Sequence, residues 1–302
     1  MPNKLQIHVN QLLSNVSVQY KNQEYIADKV FPVVPVIKDS NTIRVYERNY
    51  KMQPTARAPG AVAREMSWNI SSTSYILEQH ALKDFIPVDH EENNDLGSLQ
   101  VDSTEILTDA IMRRMEASAA LLFTTTSWSL GVTLTAGLAF STNTTTTDPV
   151  PVFDTGTSVI IQNTGMTPNF GILPRAGFVS VKNHVSVLDR VKYTNAEVGE
   201  VLVARLLGLN EMLVPTAIKD DSLEGVEGGD ATFTAFWIHA FVGYKAPSPG
   251  LKQVSCGYNF MRSAPRVRTW FDQERNSNVV EVEVKYQSKV VASLGGYLIS
   301  GI

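Results

Sequence analysis

Apolar and polar positions along this chain follow two different periods, and the places where the period changes mark its organisation. Steps of three and four at Leu107, Ile111, Met115, Ser118 and Leu122 predict a long amphipathic helix at about 103–124. Asp102, with Glu105 three residues on, reads as its capping box. A second stripe, Phe178, Val181, Val185, Leu188 and Val191, predicts another helix that places Val185 inside and His184 and Asp189 on the wet side or edge. Shorter helices are expected at 153–164 and 196–207, stopped by Gly165 and Gly208, each followed by a short strand, "NFGILP" and "LNEMLVP".

Period-two alternation predicts strands elsewhere. Residues 41–52 and 63–85 flank the tip "QPTARAPGAVA", whose prolines and glycine deny it regular structure, so the pair reads as a long two-stranded flap that needs another surface to lie against. Before it, Pro32 and Pro35 favour an extended arm over a ladder strand. Toward the C-terminus, "ATFTAFWIHAFVGYKA" and "VVEVEVKYQSKVVA" are strand-like, the second with Val280, Val282, Val284 and Tyr286 on one face. These strands are expected to rejoin the long helix, and "KDDSLEGVEGGD" reads as an exposed loop.

Composition narrows the classes of function. Charged residues make up 19% of the 302, below the roughly 25% usual in soluble domains, which suggests that self-association covers surface. A net charge of -4 leaves no polybasic footprint for nucleic acid. The single cysteine, Cys256, rules out an intrachain disulfide or a multi-cysteine metal site, and the sequence shows neither a signal peptide nor a membrane-spanning stretch.

Candidate chemistry is sparse. Glycine-rich phosphate loops, G-x-S-x-G, H-E-x-x-H and C-x-x-C are all missing from the sequence. A dispersed hydrolase using His80, His184 or His239 is outweighed by structural roles for lone histidines, and the helical spacing of Ser180, His184 and Asp189 forbids a local triad. The acidic stretch at Asp89, His90, Glu91 and Glu92 fits no calcium loop and is better read as a solvated segment before a helix N-terminus. Covalent joining of Lys51 to Asn276 or Asn278 is likewise outweighed by an exposed lysine and turn asparagines. No catalytic, cofactor-binding or metal-binding residue is assigned.

The order of parts, together with "TDAIMRRMEASAALL", "NTGMTPNFGILPRAGFVSVKNHVSVLDRVKY", "VGEVLVARLLGLNEMLVP" and "WFDQERNSNVVEVEVKYQSKVVASLGGYLI", resembles the major capsid proteins of tailed bacteriophages, the fold named after phage Hong Kong ninety-seven. The resemblance implies an α+β fold with an N-terminal arm (1–35), an extended β-hairpin loop (36–82), a peripheral domain (83–128 and 260–302) holding the spine helix, and a mixed α/β axial domain (129–259). It implies a non-enzyme that self-assembles into hexamers and pentamers of an icosahedral shell around double-stranded DNA, without sequence-specific binding or a membrane. Implied partners are further copies of the chain, a separate scaffolding protein, a portal and, in some shells, a decoration protein; the implied place is the virion, assembled in the host cytoplasm. An encapsulin-like compartment shell is the alternative within the fold, and a soluble enzyme using the α/β lobe is the alternative from another class. Subunit-interface residues are expected at Arg44, Arg48, Lys51, Arg57, Arg64 and Trp68 of the loop, opposite Asp89, Glu91 and Glu92 of a neighbour.

Overall fold

The computed structural model describes residues 22, 24–46, 50–67, 69–94, 97–124, 127–135, 139–144, 147–192, 198–222, 232–249 and 253–302. In chain order, helix α1 (Ala27–Val30) and strand β1 (Val33–Pro35) precede the flap strands β2 (Ser40–Tyr46) and β3 (Ile70–Ile76), then β4 (Glu78–Pro87), α2 (Val88–Glu92) and the long helix α3 (Leu99–Ala120). The middle of the chain holds β5 (Gly131–Thr133), α4 (Pro149–Thr164), β6 (Phe170–Ile172), α5 (Arg175–Lys182), α6 (Val185–Val191), α7 (Glu200–Leu206), β7 (Glu211–Leu213), β8 (Ile218–Asp220), β9 (Phe233–Ala235) and β10 (Ala240–Gly243). β11 (Gly257–Met261), β12 (Arg266–Asp272), β13 (Ser277–Val290) and β14 (Gly296–Ser300) complete the order.

The first sheet is organised by β13. One of its edges pairs antiparallel with β4 from Ser277↔Pro87 to Tyr286↔Glu78; its other edge takes β12 and then β11, and β1 adds parallel to β11. The period-two pattern explains what the sheet holds. Val280, Val282, Val284 and Tyr286 are buried on one face, and Ile111 and Met115 of α3 pack with Val282, Val284, Tyr286 and Met261. Each such side chain taken fully out of water contributes about 1.5–3 kcal/mol, and the Ser118 hydroxyl on the same helix pairs with the Tyr286 hydroxyl at 3.1 Å.

The second sheet runs β5-β14-β10-β6-β7, with β5 and β7 parallel to their neighbours and the two inner contacts of β10 antiparallel. The core beside it combines Phe140, Phe153, Ile160, Val187, Val203, Leu207 and Ile299. A joint core links the two parts: Phe31, Phe123, Trp128, Trp237, Phe241 and the buried Cys256 meet around the end of α3. Space is tight enough there that a Cβ on Gly296 would stand 2.2 Å from Phe241 Cζ, so only glycine lets β14 pass. β14 lies within the 260–302 stretch expected in the peripheral part, and it hydrogen-bonds into this second sheet.

Several local expectations are corrected. The long helix begins at Leu99 rather than near 103, with extended Ser98 as N-cap and Gly97 at φ 109 just before it; Asp102 therefore sits inside the first turn, where its charge complements the exposed N–H groups, and caps nothing. The strand expected over 63–85 divides at Leu77: β3 pairs with β2, while β4 pairs with β13. The helix expected through 178–191 is two helices broken at Asn183 and His184. His184 is fully buried as the N-cap of α6, and Val185 is 42% exposed while Val187 is completely buried. The three-and-four count runs through the break as if one axis continued, and the turn of the chain rotates the buried face by two positions. By contrast, α4 ends at Gly165 in the left-handed region (φ 69), and the strands after α4 and α7 fall where expected.

Candidate assembly surface

The flap is built to face outward. β2 and β3 pair from Ser40↔Ile76 to Tyr46↔Ile70, and every residue from 50 to 67 is exposed, with Met52 at 91% and Val62 at 93%. Pro54, Pro59 and Gly60 (φ 81) prevent the tip from adding to the ladder. Arg44 stands exposed on β2, and Lys51, Arg57 and Arg64 are exposed on the tip segment; Arg48 and Trp68 lie outside the described residues.

The base of the flap is held firmly. Tyr75 stacks on Phe260 with ring centroids 4.7 Å apart and an angle of 8°. Ile76 donates its N–H to Gln287 Oε1 at 2.9 Å, and the Lys289 ammonium donates to the Ser74 carbonyl. Asp39, at the turn into β2, meets Arg262 at 2.6 Å and Lys285 at 3.0 Å, and Lys285 and Arg262 together hold its carboxyl below the usual carboxylate range. On the other side, Tyr50 donates its hydroxyl to the Thr164 carbonyl at the end of α4 at 2.6 Å, across a cleft of about 480 Å³ lined by Val45, Tyr46, Met166 and Ser293.

The acidic stretch lies at the far end of β4 from this base. That strand has 10 residues, so at about 3.3 Å each the hairpin base and α2 are separated by roughly 33 Å. Asp89 and Glu92 are exposed, whereas Glu91 engages both oxygens within the subunit, accepting from Gln100 Nε2 at 2.9 Å and Asn278 Nδ2 at 2.6 Å. Asn278 is thereby tied to Glu91, and Asn276 occupies the β12–β13 turn with φ 45.

One polar group that sequence reading missed holds the parts together. Glu116 of α3 is 0% exposed; its carboxylate accepts from Ile26 N at 3.0 Å, Ala27 N at 2.8 Å and Trp237 Nε1 at 2.5 Å. It thus caps α1 and joins the foot of the arm, the spine helix and the segment before β10. Burial pushes the carboxyl above the usual carboxylate range, against the pull of the Trp237, Ala27 and Ile26 donors. Its partners are 89 to 121 residues away in sequence, so no local pattern reveals it. Beside it, Tyr25 donates to Asp109 Oδ1 at 2.7 Å, and Arg113 bridges the same carboxylate at 2.5 Å.

Two of the three histidines weighed for chemistry have other work, whereas His239 Nδ1 is buried without a hydrogen-bond partner among the described residues. His184 Nδ1 accepts from Ser186 N at 3.3 Å, which leaves Nε2 to donate to the Thr147 hydroxyl at 3.2 Å; both nitrogens serve the α6 cap. His80 packs against the Tyr286 ring at 4.8 Å. Among the described residues there is no cluster of three His, Cys, Asp or Glu side chains able to hold a metal, and no helix long and apolar enough to cross a membrane.

No family model matches the chain. It is similar to the major capsid protein of Burkholderia phage BcepMu, 25% identical over 311 aligned positions that cover 99% of this chain and 98% of that one. Among solved structures, a phage-related protein of Bordetella bronchiseptica superposes with a TM-score of 0.70 at 24% identity, covering 93% of both chains. The capsid of cyanophage P-SCSP1u gives 0.69 at 10% identity, over 98% of this chain and 94% of that one. The flap, spine helix, sheet built on β13 and mixed α/β lobe are therefore parts of one known plan: this α+β chain has the tailed-phage major capsid fold, and its likeness to a phage major capsid protein runs along essentially its whole length.

Proposed function

We propose that this chain is a major capsid protein whose copies form the hexamers and pentamers of a closed icosahedral shell around packaged double-stranded DNA. It acts as a structural part of the virion and turns over no substrate. The observation that carries the reading is the flap: residues 50–67 are exposed throughout while the base is anchored by Tyr50, Tyr75 and Asp39. A segment so fixed at its root and so bare along its length gains nothing within one subunit, and it is suited to lie on another. Arg44, Arg57, Arg64 and Lys51 supply cations, and Asp89 and Glu92, some 33 Å from the base along β4, supply exposed carboxylates for the flap of a neighbour. Arg48 and Trp68 belong to the same grip, and Glu91 contributes by holding α2 in place. A separate scaffolding protein and a portal are the further partners this function calls for, joined in some shells by a decoration protein, with assembly in the host cytoplasm.

The test replaces 51–67 with a short Gly-Ser linker, which keeps the Tyr50 anchor on the Thr164 carbonyl. The shortened chain is expected to keep its circular dichroism and melting temperature but to sediment as subunits or capsomers where the full chain, with its scaffold, forms closed particles. Closed particles of normal size and stability from the shortened chain would overturn the assignment of this surface.

A further inference from the structure

The outward face of the first sheet gathers cations that the chain as a whole does not have in excess. Strand register sets this up. Arg266 and Arg268 of β12, Glu283 and Lys285 of β13 and Gln79 of β4 share the side of the sheet turned away from α3, because Val282 and Val284 take the side toward it. With Arg262, just beyond β11, they line a cleft of about 320 Å³.

Two carboxylates serve the four cations of this cleft. Asp39 meets Arg262 at 2.6 Å and Lys285 at 3.0 Å, while Glu283 accepts from Arg268 at 2.6 Å and from Gln79 Nε2 at 3.1 Å. Arg266 stands opposite Glu283 in the ladder, yet that carboxylate is engaged by Arg268 and Gln79, and the Arg266 side chain has no partner among the described residues. Glu281, the next carboxylate along β13, stands opposite a cation of its own, Lys83. Four cations against two carboxylates leave the cleft a formal charge of +2, in a chain whose net charge is -4.

We propose that this cleft binds a phosphate group. A phosphate dianion carries about -2 near neutral pH, so one such group matches an excess that a single carboxylate would leave half unmet. The free Arg266 guanidinium offers a planar fork that takes two phosphate oxygens at once. Along the strands it is flanked by Arg268 in one direction and Lys285 in the other, which places further donors around the same anion. Phosphate reaches the cleft either free in solution or in the backbone of a nucleic acid, and the same donors recognise both. Arg262 and Lys285 also hold Asp39 at the root of the flap, so occupancy draws on the cations that fix that root. The site does not depend on the chain building shells.

Calorimetric titration of the full-length chain with inorganic phosphate, at an ionic strength held constant with chloride, tests this in four proteins. These are wild type, Arg266→Gln, Asp39→Asn and Arg205→Gln, the last removing an exposed cation from α7 instead. Binding is expected to weaken about tenfold or more in Arg266→Gln, to tighten in Asp39→Asn, where a competing carboxylate is gone, and to be unchanged in Arg205→Gln. A second arm repeats the wild-type titration with a short DNA duplex present. Loss of the phosphate signal there assigns the site to a nucleic-acid backbone, and a signal that persists assigns it to the free anion. A phosphate signal no larger than that of chloride, equal affinity in wild type and Arg266→Gln, or no tightening in Asp39→Asn overturns the proposal.

Discussion

The axial lobe and the flap use the same kinds of apolar residue to opposite ends. In the lobe, Phe153, Ile160, Val187 and Val203 are fully buried against one another, and the chain's own contacts determine their positions. In the flap, Met52 and Val62 are more than nine-tenths exposed, and only the base, through Tyr75, Leu77, Tyr258 and Phe260, has a core. One region encodes its fold, and the other leaves its apolar side chains bare within the subunit. Hydrophobicity alone does not mark a core; what marks it is whether neighbours in the same chain complete the packing.

The comparison predicts a graded series. Phe153→Ala should remove about 3–5 kcal/mol of stability, measured by urea unfolding of the subunit; a loss below that range would mean the lobe packs loosely. Glu116→Ala leaves the Ile26, Ala27 and Trp237 donors buried without their acceptor and should cost about 2–3 kcal/mol, with a change in the near-ultraviolet signal of Trp237. Val187→Ala should cost about 2 kcal/mol, whereas Val185→Ala, two residues away on the open side of α6, should stay within about 0.5 kcal/mol. Equal costs for the two valines would refute the break at His184. Met52→Ser should leave melting unchanged and reduce particle yield, and a melting shift comparable to that of Val187→Ala would place the flap inside the fold.

Glu116 adds a pH dependence with a definite sign. Its folded pKa is raised above the unfolded value near 4.5, so the folded chain holds the proton more tightly than the unfolded one. Stability from this group is full below pH 4.5 and declines as pH rises through the folded pKa. Glu116→Gln removes the titration, so the difference in unfolding free energy between wild type and variant should vary with pH above 4.5. A difference that stays flat from pH 4.5 to 8 would show that the carboxyl is not held above its ordinary value.

Much of this was legible in the sequence where a single element determines its own packing. The alternation of Val280, Val282, Val284 and Tyr286 and the stop at Gly165 are local signals, and both elements lie where they were expected. The split at His184 was not legible, because the apolar spacing continues through it and the cap depends on Thr147, 37 residues earlier. Glu116 was hidden for a stronger reason: in a helix pattern it reads as a solvated charge, and its partners come from two distant segments. The exposed flap cations Arg44, Lys51, Arg57 and Arg64 could be listed from composition and turn chemistry, yet the separation of the flap base from Asp89 and Glu92 along β4 required the register of the sheet built on β13.

The lone cysteine has a practical consequence. Cys256 is 0% exposed in the joint core, and burial pushes its thiol up to about 12, so near neutral pH almost none of it is the reactive thiolate. The native chain is therefore a silent background for sulfur chemistry. A cysteine introduced at Met52 or Val62 would be the only thiol that a maleimide dye, a spin label or a gold cluster can reach, and one substitution would give every copy in a particle a reporter at a known position on the flap.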